Sequence, residues 1–218
     1  MMNFKAYNNV TKIVIPDNVQ LSNNSFYNKF SGMKNLQSVS LPNSVNFLAN
    51  TFSSCLSLNM SPWCGNNVTN MMNAYDSCYN LTGSPVCGNN VTDMSSTYAK
   101  CSNLTGSPIC GDNVTNMLSA YKNCYNLASN AYFYSNQITN VMNCFYGWPN
   151  TKYLNLYIPV NSTSLTTALI SNTYSMVGAE ITWTDDVATN GCYYNIQYNI
   201  YIYPVENVAA ARTANGDD

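Results

Sequence analysis

Residues 64–86 read CGNNVTNMMNAYDSCYNLTGSPV, and the line returns as CGNNVTDMSSTYAKCSNLTGSPI over 87–109 and as CGDNVTNMLSAYKNCYNLASNAY over 110–132. Set in register, the copies become columns. Val68, Val91 and Val114 open the units, with Val45 before them and Ile138 after. Met71, Met94 and Met117 stand three residues on, flanked by Leu48 and Val141. Tyr75, Tyr98 and Tyr121 stand seven on, between Phe52 and Phe145. Cys78, Cys101 and Cys124 follow, then Leu81, Leu104 and Leu127, with Cys55 and Leu58 in the unit before. The period is 22–24 residues, the range in which sequences build stacked arrays rather than self-sufficient domains.

One such unit cannot bury its own apolar stripe, whereas stacked units bury a continuous one. Apolar positions at offsets 0, 3, 7 and 10 predict a helical or 3₁₀ segment from Val68 to Cys78. The Gly- and Pro-punctuated stretch Leu81 to Val86 predicts a brief strand pairing with its copy in the next unit, at the ~4.8 Å spacing of parallel strands. About six units of this kind form a short rod.

Earlier, degenerate units precede these. VTKIVIPDNV (10–19) and LQSVSLPNSVNFLANTFSSCLSL (36–58) share an alternating apolar run, a proline, a turn and a valine. The arrangement L-x-x-V-x-L-P-x-x-V…F-x-x-C-x-x-L resembles the BspA-type leucine-rich repeat, and NVTNMMNAYDSCYNL resembles its Met- and aromatic-rich variant in bacterial surface proteins. The resemblance spans roughly residues 10–158. It departs from the family in Tyr where Phe is usual and in the added CGNN turn. It implies an α/β fold, a right-handed solenoid of about six 22–24-residue repeats closed by a β-rich C-terminal segment, and a module that binds proteins or glycans.

The expected organisation is a solenoid over 1–158, a strand–helix–strand cap over 159–186, and a β-strand attachment segment with a frayed tail over 187–218. Within the last, CYYNIQYNIYIYPVENV alternates strictly, setting Tyr194, Ile196, Tyr198, Ile200 and Ile202 against Asn195, Gln197, Asn199, Tyr201 and Tyr203. That predicts one strand of about ten residues whose aromatic second face is covered by this chain or another.

Composition narrows the function. Charged residues make up 8% of the chain, against a usual ~25%, and the net charge of −2 forms no basic patch, so nucleic acid is not an expected partner. No run of about 18 apolar residues suggests a membrane span. Histidine is absent, which removes the commonest general base and metal ligand. Nine cysteines, an odd number without a C-x-x-C pair, read as small buried hydrophobes repeated with the unit, not as disulfides or a metal site. The recurring Asn-X-Ser/Thr triplets follow from turn and cap asparagines rather than from glycosylation. Glu180, Glu206 and the adjacent Asp185 and Asp186 have no setting that pairs two carboxylates across a glycosidic bond. No P-loop or dinucleotide-binding glycine motif occurs, and no cofactor is expected.

What remains is a surface of Tyr, Asn and Ser, the palette of binding paratopes. Tyr79 and Tyr125, just after the cysteine column, and Tyr201 and Tyr203 are the candidate interaction residues. The N-terminus, MMNFKAYNNVTKIVIPDNV, lacks the charged start and apolar run of a secretory signal. Together these features predict a non-enzymatic structural or binding protein on a phage virion surface. It would act in a tail-fibre or receptor-binding assembly or decorate the capsid, as a homo-oligomer or part of a larger assembly. Its partners would be other virion proteins and a host surface protein or glycan. A bacterial cell-surface adhesin fragment is the alternative.

Overall fold

Each unit of the array turns on an Asx residue. The side-chain oxygens of Asn70, Asp93, Asn116 and Asn140 accept from the backbone N–H two residues on, at 2.8–3.1 Å. The same four residues form single parallel bridges in sequence, Phe47 to Asn70 to Asp93 to Asn116 to Asn140. The computed structural model describes residues 9–19, 24–170, 176–179 and 181–217. Over these residues it is a mixed sheet with few helices.

The spacing from Val68 to Cys78 does not produce a helix. Backbone N–H groups alternate between a carbonyl three residues back and a carbonyl in the following unit. Ala74 bonds to Met71 and Cys78 to Tyr75, while Asn73, Tyr75 and Ser77 reach Ser95, Thr97 and Ala99. The chain is therefore a run of single turns, reset by left-handed residues at Asn73 (φ 52°) and Ser77 (φ 61°). Those two reversals keep Val68, Met71, Tyr75 and Cys78 pointing inward, as a helix would, while freeing every second donor for the neighbouring unit.

The strand expected over 81–86 is also absent, and phenols bond backbone groups along this side of the units. The Tyr75 hydroxyl donates to the Trp63 carbonyl at 2.8 Å and accepts from the Trp63 N–H at 3.0 Å. Tyr98 does the same to Val86 (2.7 and 3.1 Å), and Tyr121 to Ile109 (2.5 and 3.0 Å). Each hydroxyl thus satisfies both backbone groups of one residue, and at Ile109 it does so within a strand, since Ile109 also pairs with Tyr132. Where the column carries Phe52 and Phe145, the residue twelve earlier lies in a strand without such a bond. Ser40 ends β2 (Ser38–Ser40), which pairs in parallel with β1 (Lys12–Val14), and Phe133 ends β4 (Asn130–Phe133).

The core is a column of rings, Phe30, Phe52, Tyr75, Tyr98, Tyr121 and Phe145, with successive centroids 5.1–5.8 Å apart and planes within 20°. Valine, methionine, cysteine and leucine columns surround it. Units pack so closely that a Cβ on Gly106 would lie 2.6 Å from the Ser84 Cα, which explains the glycine.

Beyond the array, β3 (Ile109–Cys110), β4 and β5 (Leu154–Pro159) pair in parallel and continue into β8 (Ile200–Val205). β7 (Cys192–Asn195) and β6 (Thr184–Asp186) add to it antiparallel, giving the order β3-β4-β5-β8-β7-β6. Helix α1 (Thr163–Ile170) follows β5, and α2 (Val187–Asn190) joins β6 to β7.

Two expectations for the C-terminus are corrected. The ten-residue strand is a hairpin: the Asn195 side chain accepts from the Tyr198 N–H, Asn199 is left-handed at φ 53°, and Ile196 at the turn is 76% exposed. Folding back lets β7 and β8 satisfy each other's backbone groups. It also brings Tyr194 to the same face as Tyr201 and Tyr203, opposite the buried Ile200 and Ile202. The tail AAARTANGDD is not frayed over its described residues. It forms α3 (Val208–Ala214), capped by Asn207, and the Asp217 carboxylate accepts from the Asn130 amide (2.8 Å) and the Tyr132 hydroxyl (2.6 Å).

Candidate functional sites: an amide groove and a tyrosine cleft

The fifteen column residues Val68, Met71, Tyr75, Cys78, Leu81, Val91, Met94, Tyr98, Cys101, Leu104, Val114, Met117, Tyr121, Cys124 and Leu127 are each no more than 3% exposed. Val86, the last residue of the expected strand, is only half-buried, because Pro85 takes the inner position.

The cysteine column has a hydrogen-bonding role. Cys55, Cys78, Cys101 and Cys124 donate their thiols to the carbonyls of Phe30, Phe52, Tyr75 and Tyr98 at 2.9–3.1 Å. Each thiol therefore binds the ring residue of the preceding unit, supplying a donor that alanine or valine lacks. Burial pushes the Cys55, Cys110 and Cys124 thiols up to about 12 and Cys64 to about 11. The nine thiols are free, and desolvation keeps these four protonated at neutral pH, the opposite of a nucleophile or metal ligand. Among the described residues, no three His, Cys, Asp or Glu side chains converge.

The carboxylates are spent locally. Asp185 accepts from the Val187 N–H, Asp186 from the Asn190 amide, and Glu206 is exposed. Glu180 lies outside the described residues.

The array's own surface carries a concave groove of about 770 Å³, lined by Gln37, Ser38, Ser57, Asn59, Asn80, Thr82 and Asn103. No described lining residue is charged. Two repeat columns supply most of it, Gln37–Asn59–Thr82 and Ser57–Asn80–Asn103, so stacking sets their spacing. Part of each amide serves the array itself: Asn80 donates to the Leu56 carbonyl at 2.8 Å, and Asn103 to Asn80 at 3.5 Å. Ser38, Ser57 and Thr82 add hydroxyls to the lining. The sequence contained this signal as the Asn before Leu81, Leu104 and Leu127, but the residue reads there as a turn former.

Of the four candidate tyrosines, Tyr79 and Tyr125 are exposed, at 44% and 48%. They do not join the groove lining. Tyr201 and Tyr203 are half-buried in a row of rings that crosses the C-terminal sheet. Tyr132, Tyr157 and Tyr203 are register partners on β4, β5 and β8, with centroids 5.1 and 5.2 Å apart. Tyr201 stacks on Tyr194 at 6.0 Å. Beyond Tyr203 lies a cleft of about 280 Å³, lined by Asp186, Asn190, Cys192, Tyr194, Tyr201 and Tyr203. Only folding into a hairpin assembles it, which is why its acidic and amide residues are not legible as a site.

No helix among the described residues is long and apolar enough to cross a membrane. No family model, curated protein or solved structure matches the chain.

Proposed function

We propose that this chain is a non-enzymatic recognition and structural protein of a phage virion surface, built as a leucine-rich-repeat-like solenoid that holds a neutral polar ligand along its groove. The observation that carries the reading is the uncharged amide and hydroxyl lining set out by Gln37, Asn59, Asn80 and Asn103. Side chains of this kind exchange hydrogen bonds with sugar hydroxyls or peptide groups without burying an unpaired charge. A rigid stack supports it, because groups already held by their neighbours lose little freedom on binding.

The test is binding of the labelled full chain to bacterial cells and to purified cell-wall polysaccharides. The double substitution Asn80→Asp with Asn103→Asp puts two carboxylates into the groove while leaving the core columns intact. Binding should fall by roughly tenfold or more, the order expected when a few hydrogen bonds are lost. Unchanged binding by the variant would overturn the groove as the recognition surface. Labelling restricted to purified virion proteins would place the groove inside the particle.

A further inference from the structure

The C-terminal sheet has one apolar face, carrying Leu154, Leu156, Ile158, Ile200 and Ile202, and one polar-aromatic face. On the second, the register runs Tyr132, Tyr157, Tyr203, then Cys192 and Asp186. The rings stop at Tyr203 because the next position, Cys192, is too small to continue the row. The gap over Cys192 is the cleft, with Tyr203 on one side, Asp186 and Asn190 on the other, and Tyr194 and Tyr201 beside it. One end of the same face is occupied by the chain itself, where Asp217 bonds Asn130 and Tyr132.

The cleft's chemistry has one sign. An aromatic ring presents its negative face to a stacked group. Asp186 uses one carboxylate oxygen on the Asn190 amide, leaving its other oxygen and the Asn190 carbonyl as acceptors. Burial raises the Cys192 thiol, so it stays neutral. No described lining residue is cationic. The lining is rich in acceptors and poor in donors. The missing complement is planar, cationic and donor-rich, sized to continue a stack of rings.

We propose that this cleft receives the guanidinium of an arginine presented by a protein partner, stacked on Tyr203 and hydrogen-bonded to Asp186. Guanidinium is flat enough to extend the row and holds five donors, and its charge is attracted by both the ring face and the carboxylate. Lysine matches the charge but not the plane, and citrulline matches the plane but not the charge. The inference goes beyond the groove reading, since the two surfaces share no residue.

Saturation-transfer NMR and titration of the full chain with N-acetyl-arginine amide, its lysine and citrulline counterparts, and a neutral hexose test it. Arginine should bind at least tenfold more tightly than citrulline and more tightly than lysine, and should weaken as salt rises. Asp186→Asn should abolish the salt dependence and cost about tenfold, and Tyr203→Leu should remove the preference for arginine over lysine. Should Tyr203→Leu fail to fold, Asp186→Asn, which keeps shape and exposure, carries the test alone. Equal binding of citrulline, preferential binding of the hexose, or indifference to Asp186→Asn overturns the proposal. Asn80→Asp with Asn103→Asp should leave arginine binding unchanged, which separates this result from the fate of the groove.

Discussion

Tyr98 carries one oxygen more than Phe52, and that oxygen alters what its unit requires of its neighbours. Its hydroxyl satisfies both the N–H and the C=O of Val86. Tyr98→Phe strips a part-buried peptide group of two partners without changing the ring stack, so the loss should be about 2 kcal/mol. In a chain of this size that lowers the melting temperature by roughly 4–8 °C. Phe52→Tyr should bring no matching gain, because Ser40 already bonds within the strand layer. Equal melting of Tyr98→Phe and the parent would show that water replaces the phenol at no cost. The cysteines follow the same logic at lower strength, each thiol lending a weak second bond to a ring residue's carbonyl.

A unit of the array is held in shape by left-handed residues that are not glycine. Ser54, Ser77, Ser96, Ser119 and several asparagines sit at φ 51–61°, and Lys100 at 64°. An L side chain there costs of order 1 kcal/mol, which glycine avoids. Ser96→Gly should therefore stabilise the fold by up to about 0.5–1 kcal/mol, since the gain from relieved strain exceeds the added freedom of the unfolded chain. Thermal melting checks it, and a destabilised variant would mean that the turn needs the serine side chain more than it suffers from the backbone. The helical spacing of the apolar residues was legible in the sequence. Its realisation as separate turns was not, because serine and lysine give no warning of a positive φ.

Across the whole molecule, the buried thiols couple stability to alkaline pH. Cys55, Cys110 and Cys124 ordinarily titrate near 9.0, but burial lifts them to about 12 in the folded chain. Below pH 9 both states hold these protons, and the stabilisation is fully present. Between pH 9 and 12 the unfolded chain releases protons that the folded chain retains, so stability should fall continuously. The urea midpoint should thus be level from pH 7 to about 8.5 and decline above it; a midpoint that held steady to pH 11 would contradict the burial of the column. The sequence by itself determined the period, the inward columns and the packing role of the cysteines, because a repeated unit must bury the same stripe each time. It also contained the amides of the groove, without showing that they share a concavity. Only the tertiary structure decided that phenols satisfy backbone groups twelve residues earlier, that the last alternating run folds back on itself, and that Asp186 meets Tyr203 across Cys192. Those facts depend on which backbone groups find partners after stacking, and local alternation carries no information about partners that lie a full turn of the chain away.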